Sequence, residues 1–405
     1  MRPFDGRTVV LGVSGGIASY KSAWLARLLT KAGAAVDAVL TRSATEFVSG
    51  MTFEALTGRP AHAGLFDAPP GRALDHIKLA KAADVVVVAP ATADFLARAA
   101  SGQSGDLLTA VLLATKAPVL LVPAMNDHMW SHPQTRHNVD HLRSLGYRVL
   151  EPEQGMLAAG EGEGPGRMPE PETIFAHVAR LLEEKRASAL AGRQVLVTAG
   201  PTREPIDPVR FISNHSSGKM GVALASSAWR RGADVSLVAG PLAVPSPVGA
   251  RVHHVGTTEE MASTLTEMLP STDVLIMAAA PADFRPSSVA TSKIKKGSGT
   301  PALQLAPTTD ILRSTAGKRR PNAIVVGFAL ETDEAIANGR TKLAEKLLDL
   351  IVVNDATEPG AGFNVDTNRV TLIDRSGREE ALPLMPKSDV ADAILDRVEQ
   401  MARGR

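Results

Sequence analysis

The chain has 405 residues, which is too long for one ordinary core and suits two domains of about 200 residues each. Its 44 lysines and arginines balance 43 aspartates and glutamates, so we expect no binding to nucleic acid or to an anionic membrane. The absence of cysteine excludes disulfides, thiolate metal ligands and a cysteine nucleophile, and it is compatible with a cytoplasmic location. We expect neither a signal peptide nor a membrane span, because no apolar run reaches about 18 residues.

The first half of the chain alternates the patterns of buried strands and amphipathic helices. Such alternation predicts an α/β fold with a parallel, doubly wound sheet. The predicted strands are residues 8–13, 35–40, 84–90, 118–123 and 147–151, and the predicted helices are residues 19–31, 44–56, 93–100, 107–115 and 171–185.

Glycine-rich or polar turns follow the first three predicted strands. A glycine pair at a strand-to-helix turn lets the backbone approach a phosphate, although the same pattern also forms turns that bind nothing. Because open α/β sheets bind ligands at the carboxyl ends of their strands, these turns predict a binding site. The candidate residues are Ser14, Gly15, Gly16, Thr41, Ser43 and Ala89.

Three further segments of the first half lie where chemistry can occur. His76 begins a short predicted helix, where it is either a structural histidine or a site residue. Asn126 lies in PAMNDHMW, residues 123–130, directly after the fourth strand. Residues 160–170 are glycine-rich and too polar for a simple connection, which predicts a mobile flap over a site.

The stretch from Val195 to Gly221 combines an apolar strand, a long polar loop and the start of a helix. The loop matches neither a Walker A nor a GxGxxG pattern, but a helix N-terminus presents N–H groups and a positive dipole end to an anion. We therefore predict a phosphate site formed by Asn214, His215, Ser216, Ser217 and Lys219.

The second half also alternates strands and helices, which predicts a Rossmann-like sheet with an antiparallel appendage. The predicted strands are residues 194–199, 234–239, 252–255, 274–279, 323–329 and 350–354, with a hairpin at 369–378. The predicted helices are residues 220–231, 259–269, 309–316, 333–348 and 388–402.

Two groups of lysines in the second half suit a triphosphate. Lys293, Lys295 and Lys296 form a basic loop, and Lys342 and Lys346 lie one turn apart on a predicted helix face. Lysines at this helical spacing also occur on solvated faces, so the spacing alone leaves both interpretations open.

Motifs along nearly the whole chain resemble those of known enzymes. SGGIASYK, HIKLAKAAD, APATAD, GDLLTAVLLA, PAMNDHMW and GPGRM, in this order, resemble flavin-containing decarboxylases that act on cysteine carboxylates. VTAGPTREPIDPVRFISNHSSGKMG, AAAPADFRP, KIKK, VGFALET and LIVVND are similar to phosphopantothenate–cysteine ligase. The chain thus resembles the bifunctional decarboxylase/ligase family of bacterial coenzyme A synthesis. This resemblance implies a flavodoxin-like decarboxylase domain over residues 1–186 and a Rossmann-like ligase domain over residues 187–405.

The resemblance implies FMN as cofactor of the first domain. An oxidised flavin takes two electrons from the carbon that bears the thiol, and the resulting thioaldehyde readily loses the neighbouring carboxylate. His76 would be the base or proton carrier, and Asn126 would hold the carboxylate. The turn residues given above would contact FMN, and the substrate would contact Met125, Met129, Arg167 and Met168.

The flap departs from the family pattern. Ala159 stands where the family carries a cysteine that helps to complete the reduction of the enethiol product. Either another acid, such as Glu161, Glu163 or water, protonates the intermediate, or an oxidised enethiol leaves the enzyme, as it does in related oxidative decarboxylases.

For the second domain, the resemblance implies a ligation in which CTP converts the acid to an acyl-cytidylate, which the cysteine amine then attacks. Asn214 would handle the acyl-cytidylate, and Lys293 would act in catalysis. Magnesium would accompany the triphosphate, with no ligand set visible in the sequence. A second departure is Thr308-Thr309, where the family often has Asn-Pro. The remaining substrate contacts would be Ser216, Ser217, Lys219, Asp283, Phe328, Lys342 and Lys346.

Two other classes fit the sequence less well. A non-catalytic regulatory flavoprotein of the same fold would lack the active-site histidine, whereas this chain has His76 and Asn126. An NAD(P) oxidoreductase would need a GxGxxG fingerprint, which neither half contains. The resemblance also implies a homo-oligomer built from trimers, up to a dodecamer, with flavin between subunits and ligase domains paired as dimers.

Overall fold

A computed structural model of the chain describes residues 4–65, 74–184, 187–295, 302–331, 334–355, 362 and 365–404, without the side chains of Glu331 and Asp355. Two compact units, residues 1–185 and 186–405, divide the chain. In the part of the chain so described, no helix combines the length and the apolar character needed to cross a bilayer.

The first unit contains a five-stranded parallel sheet, as its apolar runs predict. Its strands are Thr8–Val13 (β1), Ala35–Leu40 (β2), Val85–Ala91 (β3), Val119–Pro123 (β4) and Arg148–Val149 (β5). Their order across the sheet is β2-β1-β3-β4-β5. The edge strand β5 is shorter than predicted, because it pairs only with Leu120 and Leu121 of β4.

A two-stranded antiparallel hairpin replaces the irregular flap that the sequence predicts. It consists of Glu153–Met156 (β6) and Glu163–Arg167 (β7). Glycine is depleted in strands, so the local composition indicates a loop, and the pairing between the two segments determines the strand conformation instead.

Helices cover both faces of the first sheet. They are Ser19–Lys31 (α1), Gly50–Thr57 (α2), Asp75–Ala82 (α3), Ala93–Ala100 (α4), Leu107–Ala114 (α5), Asp127–Ser131 (α6), Pro133–Ser144 (α7) and Pro171–Glu183 (α8). One core cluster joins α1 and α8 to Val9 and Leu11, and the other joins α3, α4, α5 and α7 to Val10. The helix predicted over residues 44–56 is interrupted, because Ser49 caps α2 by accepting a hydrogen bond from the amide of Met51 at 3.2 Å.

The second unit contains an eight-stranded sheet and three short antiparallel pairs. Its strands are Gln194–Ala199 (β8), Arg203–Pro205 (β9), Phe211–Ser213 (β10), Asp234–Ala239 (β11), Arg251–His254 (β12), Val274–Met277 (β13), Phe284–Pro286 (β14), Leu305–Pro307 (β15), Ile324–Glu331 (β16), Leu350–Asp355 (β17), Thr367–Asn368 (β18), Val370–Asp374 (β19), Glu379–Ala381 (β20) and Met385–Pro386 (β21). The sheet order is β12-β11-β8-β13-β16-β17-β19-β20, in which β19 and β20 form the antiparallel appendage. The pairs are β9 with β10, β14 with β15 and β18 with β21.

The helices of the second unit are Lys219–Arg230 (α9), Thr258–Met268 (α10), Ile311–Ser314 (α11), Ala335–Glu345 (α12) and Lys387–Arg403 (α13). One core cluster joins α10, α11 and α12 to the sheet, whereas α9 is tied to α13 by ion pairs between Arg230, Arg231 and Asp392. Helix α11 is shorter than predicted, because Asp310 caps it and a 3₁₀ turn follows at residues 316–318.

Both sheets have a point where the strand order reverses. In the first sheet it lies between β1 and β3, and in the second between β8 and β13. The first order is that of flavodoxin-like folds, and the six parallel strands of the second sheet follow the 3-2-1-4-5-6 order of Rossmann folds. The predicted α/β fold class is therefore confirmed, and ligands are expected outside the carboxyl ends of these strands.

Candidate active sites

The first cavity opens at the carboxyl ends of β1, β2 and β3 and has a volume of about 560 Å³. The hairpin of β6 and β7 contributes one of its walls. Ten residues that the sequence singles out lie together on its surface, namely Ser14, Gly15, Gly16, Thr41, Ser43, Met125, Asn126, Met129, Arg167 and Met168.

Ser14 fixes the turn that follows β1. Its hydroxyl donates to the carbonyl oxygen of Pro90 at 2.8 Å and accepts from the amide of Thr92 at 3.0 Å. The neighbouring Gly15 packs so closely that a Cβ atom on it would lie 2.3 Å from Ser43 Cβ. Only glycine fits this position, and the turn leads into the N-terminus of α1, which suits an anion such as a phosphate.

Ala89 lies behind the cavity wall rather than on it. It is fully buried in β3, and its carbonyl oxygen accepts a hydrogen bond from the hydroxyl of Ser22 at 2.5 Å. Pro90 and Thr92, one and three residues further along, line the cavity instead. The strand has the predicted length but is shifted by one residue, to Val85–Ala91 instead of residues 84–90, so the residues that follow it reach the cavity later than the sequence suggests.

Asn126 presents an amide donor at the first cavity. Its side-chain oxygen Oδ1 caps α6 by accepting from the amide of His128 at 2.9 Å. Among the described residues, none accepts a hydrogen bond from its Nδ2 group. Because the cap fixes the side-chain rotamer, the NH₂ group is available to a carboxylate in the cavity.

Strand β7 lies directly on the loop that carries Asn126. The amide of Met125 donates to the carbonyl oxygen of Gly166 at 3.0 Å, and a Cβ atom on Gly166 would lie 2.1 Å from Met125 O. The buried Lys21 of α1 holds the end of this strand by donating to the carbonyl oxygen of Met168 at 2.8 Å. The GPGRM motif therefore serves to seat the hairpin against the site.

His76 and Ala159 lie away from the first cavity. His76 is a half-buried residue in the first turn of α3, and it is not among the described residues that line the cavity of its own chain. Ala159 is exposed at the turn between β6 and β7, whereas its neighbours Ala158 and Glu161 line the cavity. The motifs that contain His76 and Ala159 therefore do not bring these two residues onto the wall of the first cavity.

The second cavity, of about 570 Å³, opens at the carboxyl ends of β13 and β16 and beside the N-terminus of α9. The predicted residues on its walls are Asn214, His215, Ser216, Ser217, Lys219, Asp283, Phe328 and Lys346. Lys293 and Lys342 are not among the described residues that line it. Lys342 lies about one helical turn before Lys346, and of these two lysines only Lys346 lines the cavity.

Asn214 is oriented by two main-chain acceptors. Its Nδ2 group donates to the carbonyl oxygens of Ala280 at 3.2 Å and Pro281 at 3.0 Å. No described residue donates to its Oδ1 atom. The side chain therefore offers a hydrogen-bond acceptor to a ligand in the second cavity.

A pair of lysines that the sequence does not associate lies together at the second cavity. Lys387 is buried, and its Nζ atom donates to the carbonyl oxygens of Gly362 at 2.9 Å and Val365 at 2.5 Å. Lys219 Nζ lies 2.7 Å from Asp366 Oδ1. Burial lowers the pKa of Lys387, and the charge of Lys219 lowers it further. Lys387 is the first residue of α13 and is far from Lys219 in the sequence, so no local motif indicates that the two lysines line one cavity.

Lys293 lies in a loop that is anchored at the next residue. The amide of Ile294 donates to Asp207 Oδ2 at 3.2 Å, and its carbonyl oxygen accepts from Arg210 Nη2 at 2.9 Å. Lys293 itself is exposed, and Lys296 lies outside the described residues. The basic loop is thus held at its base, with the lysine side chain directed to solvent.

Acidic side chains are sparse at the second cavity. Asp283 lines it, and its side chain has no hydrogen-bond or ion-pair partner among the described residues, whereas Asp310 Oδ2 lies 3.4 Å from Lys346 Nζ. Within the described ranges, no group of three or more histidine, aspartate or glutamate side chains could hold a metal ion.

Two family models together match almost the whole chain. Residues 2–183 match the family described as Flavoprotein, and residues 190–401 match the family described as DNA/pantothenate metabolism flavoprotein C-terminal domain. The fold and the two cavities thus define a two-domain flavoprotein of pantothenate metabolism.

Curated relatives extend this assignment along the whole chain. The chain is 48% identical over 405 residues to the coenzyme A biosynthesis bifunctional protein CoaBC of Mycobacterium tuberculosis strain H37Rv, covering 97% of this chain and 96% of the relative. It is 44% identical to the protein of the same name from Vibrio cholerae, covering 99% and 100%. The chain belongs to the family of CoaBC coenzyme A biosynthesis bifunctional proteins.

Solved structures resemble the two halves separately. The C-terminal domain of a coenzyme A biosynthesis bifunctional protein CoaBC is 37% identical and covers 54% of this chain and 100% of its own, with a TM-score of 0.47. A cysteine-to-serine mutant of PPC decarboxylase complexed with pantothenoylaminoethenethiol is 31% identical and covers 44% and 98%, with a TM-score of 0.40.

Proposed function

We propose that the chain carries out two steps of coenzyme A biosynthesis in the cytoplasm. The predicted ligase domain, residues 187–405, joins 4'-phosphopantothenate to cysteine with CTP. The predicted decarboxylase domain, residues 1–186, uses FMN to decarboxylate the product to 4'-phosphopantetheine. The observation that carries this proposal is that each sheet has its own cavity at the carboxyl ends of its strands, in a chain whose relatives are named bifunctional proteins along their full length.

The residues of the first cavity fit FMN. The turn after β1 forms a cradle in which Gly15 packs directly against Ser43, a contact that a Cβ atom would prevent. Thr41 and Ser43 add hydroxyl groups, and the cavity volume of about 560 Å³ is ample for a mononucleotide. FMN, when bound, supplies the two-electron acceptor for oxidation of the carbon that bears the substrate thiol. Asn126 donates from Nδ2 to the substrate carboxylate and holds it in place until carbon dioxide leaves.

His76 completes the first site from a neighbouring subunit. The rim of the cavity carries exposed apolar side chains, with Ile17 and Tyr20 64% exposed and Met156 70% exposed. Exposed apolar patches of this kind mark protein contacts, which supports a homo-oligomer built around this cavity. In such an assembly His76 acts on the substrate bound to the adjacent chain, as base or proton carrier.

Mixed oligomers test this arrangement. His76→Asn and Asn126→Ala subunits should each release no carbon dioxide alone, whereas oligomers reassembled from both should regain part of the activity. If each site takes His76 from one chain and Asn126 from another, some sites in a mixed oligomer contain both unaltered residues. If each site lies within one chain, every site lacks one of them. Ligase turnover in both variants is the control for folding. A mixture that stays inactive after verified subunit exchange would contradict the shared site.

Glu161 takes the place of the missing flap thiol as proton donor. It lines the first cavity two residues after Ala159, whereas Glu163 lies on β7 outside the wall. Protonation lets the two electrons return to the product, so the released compound is 4'-phosphopantetheine. Mass spectrometry checks this: Glu161→Gln should release a compound two hydrogens lighter, and the control Glu163→Gln should not. The lighter compound from the unaltered protein would count against Glu161.

The second cavity binds the nucleotide and the acid for ligation. A carboxylate oxygen bonds to the α-phosphorus of CTP and pyrophosphate leaves; the cysteine nitrogen then bonds to the acyl carbon and CMP leaves with the C–O electron pair. Lys219, Ser216 and Ser217 hold the phosphate of the acid, while Lys346 and Phe328 contact the nucleotide. Asn214 orients the acyl-cytidylate, and Lys293 closes over the triphosphate from its loop.

Pyrophosphate release tests the ligase half. Asn214→Asp should keep CTP-dependent pyrophosphate release but accumulate an acyl-cytidylate that mass spectrometry detects, because activation precedes the step that needs this side chain. Magnesium bound with the triphosphate would offset its negative charge, so chelation should stop pyrophosphate release and leave carbon dioxide release intact. Absence of the acyl-cytidylate would argue against this role for Asn214.

A further inference from the structure

A third cavity lies beside the second one. Its volume is about 270 Å³, which suits a small metabolite and is below the range of about 300–1,000 Å³ typical of drug-sized ligands. It is bounded by β9, the N-terminus of α10 and the segment from β14 onwards. Thr308 and Thr309 line both cavities, so the two spaces share a wall.

A buried carboxylate faces the third cavity. Glu204 is 3% exposed, and its Oε1 atom accepts from both the amide and the hydroxyl of Thr258 at 2.8 Å each. Its Oε2 atom has no donor among the described residues, so it can accept a hydrogen bond from a ligand in the cavity.

A cation also lines the third cavity. Arg285 is exposed on β14, lines the same cavity, and forms no ion pair with any residue in the described part of the chain. The apolar Val289 lies near it on the cavity surface. One carboxylate, one guanidinium and a small apolar contact match the ammonium group, the carboxylate and the short side chain of an α-amino acid.

We propose that the third cavity binds the amino-acid substrate of the ligase as a zwitterion. Glu204 Oε2 accepts from its ammonium group, Arg285 binds its carboxylate, and Val289 contacts its side chain. This inference rests on the proposed ligase function, because the first and second cavities account for FMN, nucleotide and acid but leave no position for the third ligase substrate.

The shared wall places the amine beside the activated acid. Thr308 donates from its hydroxyl to the carbonyl oxygen of Ala282 at 2.5 Å, and the amide of Ala282 donates to Thr202 at 2.9 Å. Asn214 is bound to Ala280 and Pro281 of the same segment. Residues 280–282 line the second cavity and Thr308 lines both cavities, so an amine in the third cavity has the acyl group of the second cavity as its neighbour.

Two variants test the proposal. Glu204→Gln keeps an oxygen that accepts from Thr258 but places an NH₂ donor next to the ammonium group, which is itself a donor. The KM for cysteine should therefore rise about tenfold or more, while the KM for CTP stays unchanged. Arg285→Met should reduce the preference for cysteine over cysteamine, which lacks the carboxylate, by about tenfold. Glu267→Gln and Arg313→Met, both exposed, are the matched controls.

The outcomes separate this inference from the function on which it rests. Pyrophosphate release from CTP and 4'-phosphopantothenate without cysteine reports activation alone, and its absence in the unaltered protein would overturn the proposed function and this inference together. If activation proceeds but both variants keep the original KM and preference, only the amino-acid site is wrong. Equal losses toward CTP and cysteine would show a structural role and would also overturn it.

Discussion

Arg319 Nη1 donates to the main-chain carbonyl oxygen of Lys346 at 3.2 Å, and Arg319 Nη2 donates to the carbonyl oxygen of Leu312 at 2.6 Å. Leu312 and Lys346 both line the second cavity. Burial lowers the pKa of Arg319, yet an arginine stays charged at neutral pH. One guanidinium therefore connects α11 to the C-terminus of α12, where carbonyl groups lack partners within the helix.

Replacing this connection should weaken nucleotide binding without changing the chemistry. We expect Arg319→Met to raise the KM for CTP about tenfold with little change in kcat, because Lys346 loses its fixed position. Arg319→Lys should recover part of the loss. Arg320→Met removes an exposed arginine next to it and serves as the control. A lower melting temperature with an unchanged KM would show that Arg319 only stabilises the fold.

A second prediction concerns the turn after β1. Gly15→Ala should yield protein that does not retain flavin, because the new Cβ atom would lie 2.3 Å from Ser43 Cβ and 2.8 Å from its main-chain carbon, and backbone cannot move aside easily. Absorbance of the purified protein near the flavin band measures this. Gly105→Ala, whose Cβ atom would enter open space, should bind flavin normally. Equal flavin content in both variants would contradict the cradle.

Sequence reasoning predicts the parallel sheets well for a physical reason. Strands that are buried on both faces are continuous apolar runs. Residues 85–88 and 195–197 can therefore be recognised as strands from the sequence alone. Once the strands are known, the turns at their carboxyl ends are known too. These turns carry most of the candidate residues of the first cavity, which is why those residues could be predicted together.

Residues whose role depends on pairing between distant segments could not be predicted. The hairpin of β6 and β7 is glycine-rich, and its conformation is determined by its partner strand rather than by propensity. Lys342 and Lys346 are four residues apart, so the sequence predicts both on one helix face. Only Lys346, which directly follows the last helical residue Glu345, lines the cavity. Glu204 lies within the quoted motif VTAGPTREPIDPVRFISNHSSGKMG, but the sequence gives no role for it, since its buried contact is with Thr258 in another element.

A third prediction follows from the backbone beside Lys346. Leu347 adopts a φ of 53°, in the left-handed region that disfavours residues with a Cβ atom, and its side chain is 58% exposed. Leu347→Gly should therefore raise the free energy of unfolding of the second unit by about 1 kcal/mol. Calorimetry of the full chain measures the shift in its melting transition. Leu303→Gly, an exposed leucine without a positive φ, should lower stability instead.

A fourth prediction concerns the anchor of the basic loop. The Asp207 side chain is fully buried and accepts hydrogen bonds from Arg210, Val209 and Ile294. The hydrogen bond from the Arg210 guanidinium, chiefly, holds the pKa of Asp207 well below its usual range. Asp207→Asn should release the loop, with faster amide exchange at Ile294 and a higher KM for CTP, because Lys293 then samples more positions.

The pH dependence of this anchor has a definite sign. Because the folded-state pKa of Asp207 lies below the unfolded value of about 3.9, the unfolded chain takes up the proton first as the pH falls. The stabilisation is therefore complete above about pH 5 and is lost as the pH drops through the folded-state pKa. The melting temperatures of the original protein and Asp207→Asn should differ by a constant amount between pH 7 and about pH 5 and approach each other progressively as the pH falls further toward the folded-state pKa. A difference that grows toward acid would mean that the carboxylate is not stabilised in its charged form.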